Sequence, residues 1–83
     1  MERREIIADG RRIELTQREF VLLSYLLRRT PDVCSRAELL EGVWGTKFDA
    51  GTNVVDVYVK RLRFKLSGNR IETVRNVGYR LAS

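Results

Sequence analysis

The residues most able to do chemistry are the cations of segment 52–66, which reads TNVVDVYVKRLRFKL. At the helical period of about 100° per residue, this segment predicts an amphipathic helix. Its apolar stripe consists of Val55, Val59, Leu62 and Leu66, and its opposite side carries Asn53, Val57, Lys60, Arg61 and Phe64. A helix that docks by one stripe and shows positive charge with some apolar surface on the other is suited to the major groove of DNA, a polyanion with readable base edges.

The positive charge of the chain is concentrated in its last third. Residues 53–83 contain seven basic and two acidic side chains, whereas residues 1–52 contain nine of each, so the whole formal charge of +5 belongs to the C-terminal third. A positive field confined to one part of a small domain concentrates phosphates there. A solvated surface with a chance imbalance fits the composition equally well, so the helix pattern is what favours a polyanionic partner.

Catalytic and metal-binding side chains are scarce. The chain has no histidine, which is the commonest general base and metal ligand, and its single cysteine, Cys34, therefore has no histidine partner. None of its six glycines belongs to a recognisable phosphate-binding loop. We therefore expect a protein that is not an enzyme and that holds no metal and no cofactor. A lone cysteine fits a reducing compartment, and Cys34 is expected to be a buried apolar residue.

Length and composition predict one folded, soluble domain over residues 1–83. The chain has 83 residues, of which 43% are hydrophobic and 33% charged. A domain of this size builds only a thin core. No apolar run approaches the roughly 18–20 residues needed to cross a bilayer, and no signal-like segment follows Met1.

The elements that would position the basic helix can be predicted from turn and cap signals. Residues 3–15 are typical of a β-hairpin closed by the two-residue turn Asp9-Gly10. A turn at these two residues pairs Ile6 with Ile13. Ile6, Ile13 and Leu15 would then lie on the face directed to the core. Glu5 and Glu14 would face outward.

Two capping-box patterns, T-x-x-E and S-x-x-E, predict two further helices. The first begins at Thr16, ends at segment 30–32 because of its proline, and has an apolar face of Phe20, Leu23, Leu26 and Leu27. The second begins at Ser35, ends at Gly45, and has an apolar face of Leu39, Leu40, Val43 and Trp44. A loop over 45–52 leads to the basic helix, which is predicted to end near 67–69.

Residues 70–82 return to a strand-like composition, with a turn signal from Asn76 to Gly78, and predict a second hairpin with Arg75 near its tip. Two short helices, a basic helix and such a hairpin follow the order of a winged helix-turn-helix, an α+β fold. In that fold the third helix fills the major groove and the wing reaches an adjacent minor groove. Cations then position the domain on phosphates while a few side chains read base edges.

Four strings together resemble the C-terminal effector domain of OmpR/PhoB-type response regulators: LTQREFVLLSYLL, SRAELLEGVWG, TNVVDVYVKRLRFKL and IETVRNVGYRL. The resemblance extends from about Ile13 to Leu81. It implies a two-component transcription regulator of the bacterial cytoplasm that binds double-stranded DNA, with 52–66 as recognition helix and 70–82 as wing. The family normally has a receiver domain and four strands ahead of the first helix. The sequence here indicates only a hairpin before that helix, so we expect a shortened N-terminal sheet.

The resemblance also implies particular contacts. Asp56 and Arg61 match positions near base edges, Arg75 matches the wing arginine that enters the minor groove, and Thr73 matches a second wing contact. Positions at or near phosphates are matched by Trp44, Asn53, Tyr58, Lys60 and Arg63. The loop that contacts RNA polymerase in some members is matched by Thr46, Lys47, Phe48 and Asp49. The family further suggests a monomer in solution and pairs of domains on direct-repeat half-sites, one helical turn apart.

Several of these positions have a structural alternative. Trp44 and Tyr58 fit a core position as well as a DNA contact. Asp56 fits the first turn of a helix, where the helix dipole favours an acidic residue. Arg75 at a turn fits an ordinary solvated arginine. For these positions the pattern alone leaves both interpretations open.

The remaining alternatives concern the flanks and outer side of the basic helix. Arg63 and Lys65 fit side chains that lie along the buried stripe. Phe64 projects away from the core and fits contact with a thymine methyl group or with a wing residue. The whole domain also fits a winged helix used for protein contacts, with loop 45–52 and Phe64 as its binding surface. RNA binding is disfavoured because no pair of exposed aromatic residues on a sheet is predicted.

Overall fold

The computed structural model describes residues 3–47, 51, 53–66 and 70–82. Its elements are, in chain order, β1 (Arg3–Ala8), β2 (Arg11–Thr16), α1 (Gln17–Arg29), β3 (Cys34–Ser35), α2 (Arg36–Leu39), α3 (Val54–Leu66), β4 (Ile71–Val74) and β5 (Gly78–Leu81). A π-helical turn over Leu40–Trp44 continues α2 directly. The predicted winged helix-turn-helix, an α+β fold with an N-terminal hairpin and a C-terminal wing, is confirmed.

The N-terminal hairpin has the predicted turn and register. Asp9 and Gly10 both have positive φ, 53° and 75°, as the two central residues of a type I′ turn require. Ile6 pairs with Ile13. Ile13 and Leu15 are buried, and Ile6 packs against them from a half-buried position. The hairpin forms its own two-stranded sheet, which covers one side of the core.

Helix α1 begins as predicted, but its buried face is turned relative to the prediction. The Thr16 hydroxyl accepts from the Glu19 amide and the Glu19 carboxylate accepts from the Thr16 amide, which completes the capping box. The buried positions are Glu19, Leu22 and Leu26. The assignment of Leu27 to the core is wrong, because its side chain is 61% exposed. The prediction followed apolar residues only, whereas the stripe that faces the core includes a charged side chain.

The same prediction also overstated the burial of two neighbours, Phe20 and Leu23, which are half-buried. Both pack against the edge of the core rather than inside it. Leu22, which the apolar pattern did not select, is completely buried.

Helix α2 and its π-helical turn lie within the predicted limits. The Ser35 hydroxyl accepts from the Glu38 amide at 3.0 Å. The Glu38 carboxylate accepts instead from the Tyr25 hydroxyl at 2.9 Å and pairs with Arg29 at 3.0 Å, so this cap joins α2 to α1. Gly45 ends the segment in the left-handed conformation, with φ of 72°. The predicted apolar face is confirmed for Leu39, Leu40 and Val43, which are buried, while Trp44 is half-buried.

The predicted C-terminal hairpin is confirmed and is part of a three-stranded sheet of order β3-β5-β4. Cys34 and Ser35 pair with Tyr79 and Gly78, a pairing that the sequence did not indicate. A Cβ at Gly78 would overlap the backbone carbonyl of Cys34, so this close crossing of β3 and β5 requires glycine. Cys34 is buried as predicted, and burial raises the pKa of its thiol.

Helix α3 buries the predicted stripe against this core. Its core-facing side chains are all at most 4% exposed: Val55, Val59, Leu62 and Leu66. Asn53, with φ of 51°, directly precedes the helix. Thr52 and residues 67–69, where the sequence placed the two ends, lie outside the described residues. None of the described helices combines the length and the apolar character that crossing a bilayer requires.

Candidate nucleic-acid interface

The outward side of α3 is a basic surface with apolar patches. Lys60 and Arg61 are exposed, Val57 is 41% exposed, and Phe64 is 88% exposed. These four residues lie opposite the buried stripe, as the 100° period predicted. Asn53 is also exposed, but it precedes the first helical residue rather than belonging to the helix as predicted. We call the four residues of the helix, 57, 60, 61 and 64, the outer face of α3.

The first turn of α3 is held by the carboxylate of Asp56. Its Oδ1 atom accepts from Nε of Arg36 at 2.8 Å and also from the hydroxyl of Tyr79. The bond to Asp56 raises the pKa of Arg36. Burial and the bond to Asp56 raise the pKa of Tyr79, so its hydroxyl stays a donor. This network joins α3 to α2 and β5.

The middle of α3 is joined to the wing by Arg63. Its Nε atom donates to the carbonyl oxygen of Ile71 at 3.0 Å, and its guanidinium also donates to the hydroxyl of Thr73. The guanidinium carbon lies 5.6 Å from the centroid of the Tyr79 ring. Arg63 and Thr73, both predicted as DNA contacts, thus contact each other and join α3 to the wing.

The last turn of α3 is held by Lys65. Its ammonium lies 2.6 Å from Oε1 of Glu19, a carboxylate only 2% exposed, and donates to the carbonyl oxygen of Glu14 at 3.2 Å. Burial would raise the pKa of Glu19, but the bonds from Lys65 and Thr16 outweigh it, so the pKa lies below its usual 4.5. We call the three networks centred on Asp56, Arg63 and Lys65 the anchors of α3.

Aromatic and basic side chains extend the outer face toward the end of α2. Trp44 and Tyr58 meet edge to face, with centroids 5.3 Å apart at 77°. The guanidinium carbon of Arg61 lies 4.9 Å from the Tyr58 ring centroid, and that of Arg18 lies 5.8 Å from the Trp44 ring centroid. Trp44 and Tyr58 are both half-buried, so each contributes to the core edge and to the surface.

The wing tip and the loop after α2 are exposed where the structure describes them. The turn of residues 75–77 presents Arg75 and Asn76 to solvent. Thr46 and Lys47 are also exposed, and Lys47 lies 3.9 Å from a carboxylate oxygen of Glu41. Phe48 and Asp49, which the resemblance assigned to the same loop contact, lie outside the described residues.

Sequence reasoning missed four residues that shape this surface: Arg18, Glu19, Arg36 and Tyr79. The T-x-x-E pattern located Glu19 as a cap but gave no sign that it is buried against Lys65. Arg36 and Asp56 are twenty residues apart and belong to different helices, so no local pattern joins them. Among the described residues, no group of three potential metal ligands lies close together.

These observations define a winged helix-turn-helix domain whose third helix presents a basic face beside its wing. Residues 10–81 match the family model described as "Transcriptional regulatory protein, C terminal". The chain therefore belongs to this family, which consists of transcription regulators rather than enzymes.

Known proteins similar to this chain agree with that assignment. The transcriptional regulatory protein PcoR of Escherichia coli is 46% identical over 83 residues, which are 95% of this chain and 37% of PcoR. CusR of Escherichia coli K12 is 44% identical over 82 residues, or 94% of this chain and 36% of CusR. The chain thus spans little more than a third of the length of these relatives.

Among solved structures, the DNA-binding domain of Klebsiella pneumoniae RstA, in complex with the RstA box, superposes with a TM-score of 0.84. It is 33% identical in sequence, and the match covers 95% of this chain and 83% of that one.

Proposed function

We propose that this domain binds double-stranded DNA sequence-specifically and regulates transcription as the effector domain of a two-component response regulator. Helix α3 enters the major groove and the wing over 70–82 reaches the adjacent minor groove. The observation that carries this proposal is the outer face of α3, which pairs unburied cations with apolar surface directly opposite the docked stripe. The RstA domain, solved with the RstA box, supports it by likeness of fold.

The contacts divide between positioning and readout. Lys60 and Asn53 bind phosphates, and the indole N–H of Trp44 and the hydroxyl of Tyr58 reach the backbone from half-buried positions. Arg61 reads base edges. Val57 and Phe64 lie on the same face, and Arg75 enters the minor groove.

Three further residues from the resemblance act differently in our proposal. Asp56, Arg63 and Thr73 have described partners within the protein, and these bonds support a role in orienting α3 and the wing rather than in direct readout. For Asp56, these partners are Arg36 and Tyr79.

We further propose that the domain is a monomer alone and binds in pairs to direct-repeat half-sites. The loop over 45–52, including Thr46, Lys47, Phe48 and Asp49, would contact RNA polymerase. Residues 1–83 would form one winged-helix domain that acts in the bacterial cytoplasm, without metal or cofactor and without catalysing a reaction.

The test is selection of bound duplexes from a random pool, followed by titration of the selected duplex over a range of salt concentrations. Log affinity should fall linearly with log salt concentration, through release of counterions. Lys60→Ala should reduce the magnitude of that slope by about one unit, whereas Arg12→Ala, a matched exposed cation on β2, should leave it unchanged. An unenriched pool would overturn the proposal, and an unchanged slope for Lys60→Ala would remove Lys60 from the phosphates.

The second candidate function is a winged helix that binds another protein. The 88% exposure of Phe64 favours it, because a large exposed aromatic residue often marks a binding surface. The same titrations separate the two functions. A domain whose partner is a protein would not bind the duplex, so the salt dependence produced by counterion release would be absent.

A further inference from the structure

Phe64 is the most exposed of the large hydrophobic side chains that the structure describes. It lies diametrically opposite the buried stripe of α3. Val57, 41% exposed, is seven residues earlier and therefore on the same side of the helix, about 10 Å away along the axis. Two apolar side chains in line on an otherwise polar face are a more specific feature than one scattered hydrophobic residue.

The charged neighbours of this pair indicate what covers it. Lys60 and Arg61 lie between Val57 and Phe64, and the four side chains share one open surface depression. Among the described residues, Lys60 has no carboxylate within ion-pair distance, so its charge is available to an external anion. An apolar protein surface would have to desolvate these cations, whereas a duplex supplies phosphates beside the groove.

Within the major groove the apolar feature is the 5-methyl group of thymine. We propose that Phe64 recognises the methyl group of one thymine and that Val57 recognises a second, at most about three base pairs away, given the 3.4 Å rise of duplex DNA along its axis. This inference rests on the proposed function and names the base that the outer face selects. Lys60 and Arg61 then set the register on which both contacts depend.

The test replaces each thymine of the selected duplex, one at a time, by deoxyuridine, which removes only the methyl group. The wild-type domain should lose about fourfold in affinity at the thymine facing Phe64, from the loss of one buried methyl group. Phe64→Ala should bind the thymine and deoxyuridine duplexes equally at that position. Val57→Ala should lose discrimination at a different thymine, at most about three base pairs away.

Two controls keep the outcome specific. Leu27→Ala removes an equally apolar, exposed side chain on α1 and should leave every thymine-to-deoxyuridine ratio unchanged. Phe64→Leu keeps an apolar side chain and should retain part of the ratio. Because Phe64 is exposed, its variants should fold, and the salt slope of Phe64→Ala should equal that of the wild type.

The inference is overturned if the wild type tolerates deoxyuridine at every position, or if Phe64→Ala discriminates as the wild type does. Either result leaves the salt-dependent, sequence-specific binding of the proposed function intact. Failure of the wild type to bind any duplex overturns both. If Phe64→Ala instead weakens only the binding of a second domain to the adjacent half-site, Phe64 contacts a second copy and the thymine assignment is wrong.

Discussion

Two regions of the same helix use their cations in opposite ways. On the flanks of α3, Arg63 and Lys65 are bonded to the wing and to a buried carboxylate. On the outer face, Lys60 and Arg61 are exposed, and the described partner of Arg61 is only the Tyr58 ring. Position around the helix, rather than residue type, therefore separates cations that stabilise the domain from cations available to a ligand.

The largest effect should come from the buried anchor. Glu19→Ala should lower the free energy of unfolding by about 2–3 kcal/mol, because it removes a charged acceptor used by Lys65 and by the Thr16 amide. Chemical denaturation measures this change. Glu5→Ala, at an exposed pair with Arg12, is the matched control and should change stability by less than about 0.5 kcal/mol. Equal losses for the two variants would contradict the anchor assignment.

The wing arginine should affect binding without affecting stability. Arg75→Ala should cost about 1–3 kcal/mol of affinity on sites whose wing-proximal minor groove is narrow and A·T-rich. Titrations on duplexes that differ only in that flank measure the effect. Equal losses on G·C-rich flanks would count against insertion of Arg75 into the minor groove.

Two single arginine substitutions compare the flank of α3 with its outer face directly. Arg63→Ala should lower the free energy of unfolding by about 1–2 kcal/mol, since it removes hydrogen bonds to Ile71 and Thr73. Arg61→Ala should change stability by less than about 0.5 kcal/mol while weakening binding to the selected duplex. If both arginines changed stability alike, the division between anchors and outer face would be wrong.

The sequence pattern predicts local structure better than it predicts which distant side chains contact each other. Helix α3 was predictable because one repeating apolar stripe decides which side is buried, and the Asp9-Gly10 hairpin because its turn demands residues that accept positive φ. The face of α1 was misjudged because Glu19, a charged residue, occupies a core-facing position. Its burial depends on Lys65, forty-six residues later, and only the folded chain brings the two together.

For the candidate site, the sequence predicted which side chains of α3 point outward but not which partners the others contact. The exposure of Lys60, Arg61 and Phe64 followed from the helical period. That Arg63 and Thr73 bond to each other depends on the tertiary packing of α3 and the wing. That packing brings together residues distant in sequence, and no spacing in the sequence encodes it.

The smallest of the expected effects concerns acid. Because the pKa of Glu19 is lowered on folding, its stabilising contribution is complete above the usual 4.5 and is lost as pH falls through the folded value. As pH falls below about 5, the free energy of unfolding should therefore decrease more steeply in the wild type than in Glu19→Gln. Parallel pH profiles for the two proteins would show that Glu19 is not the group responsible.

In the proposed complex, the outer face of α3 and the wing tip enter the grooves of a duplex. Titration of the isotopically labelled domain with the selected duplex, followed by amide chemical shifts, tests it most directly. We expect shifts to concentrate in α3 and in the turn at 75–77, while β1 and the C-terminal half of α1 stay unperturbed. Shifts confined to the N-terminal hairpin and α1, with α3 unchanged, would contradict it.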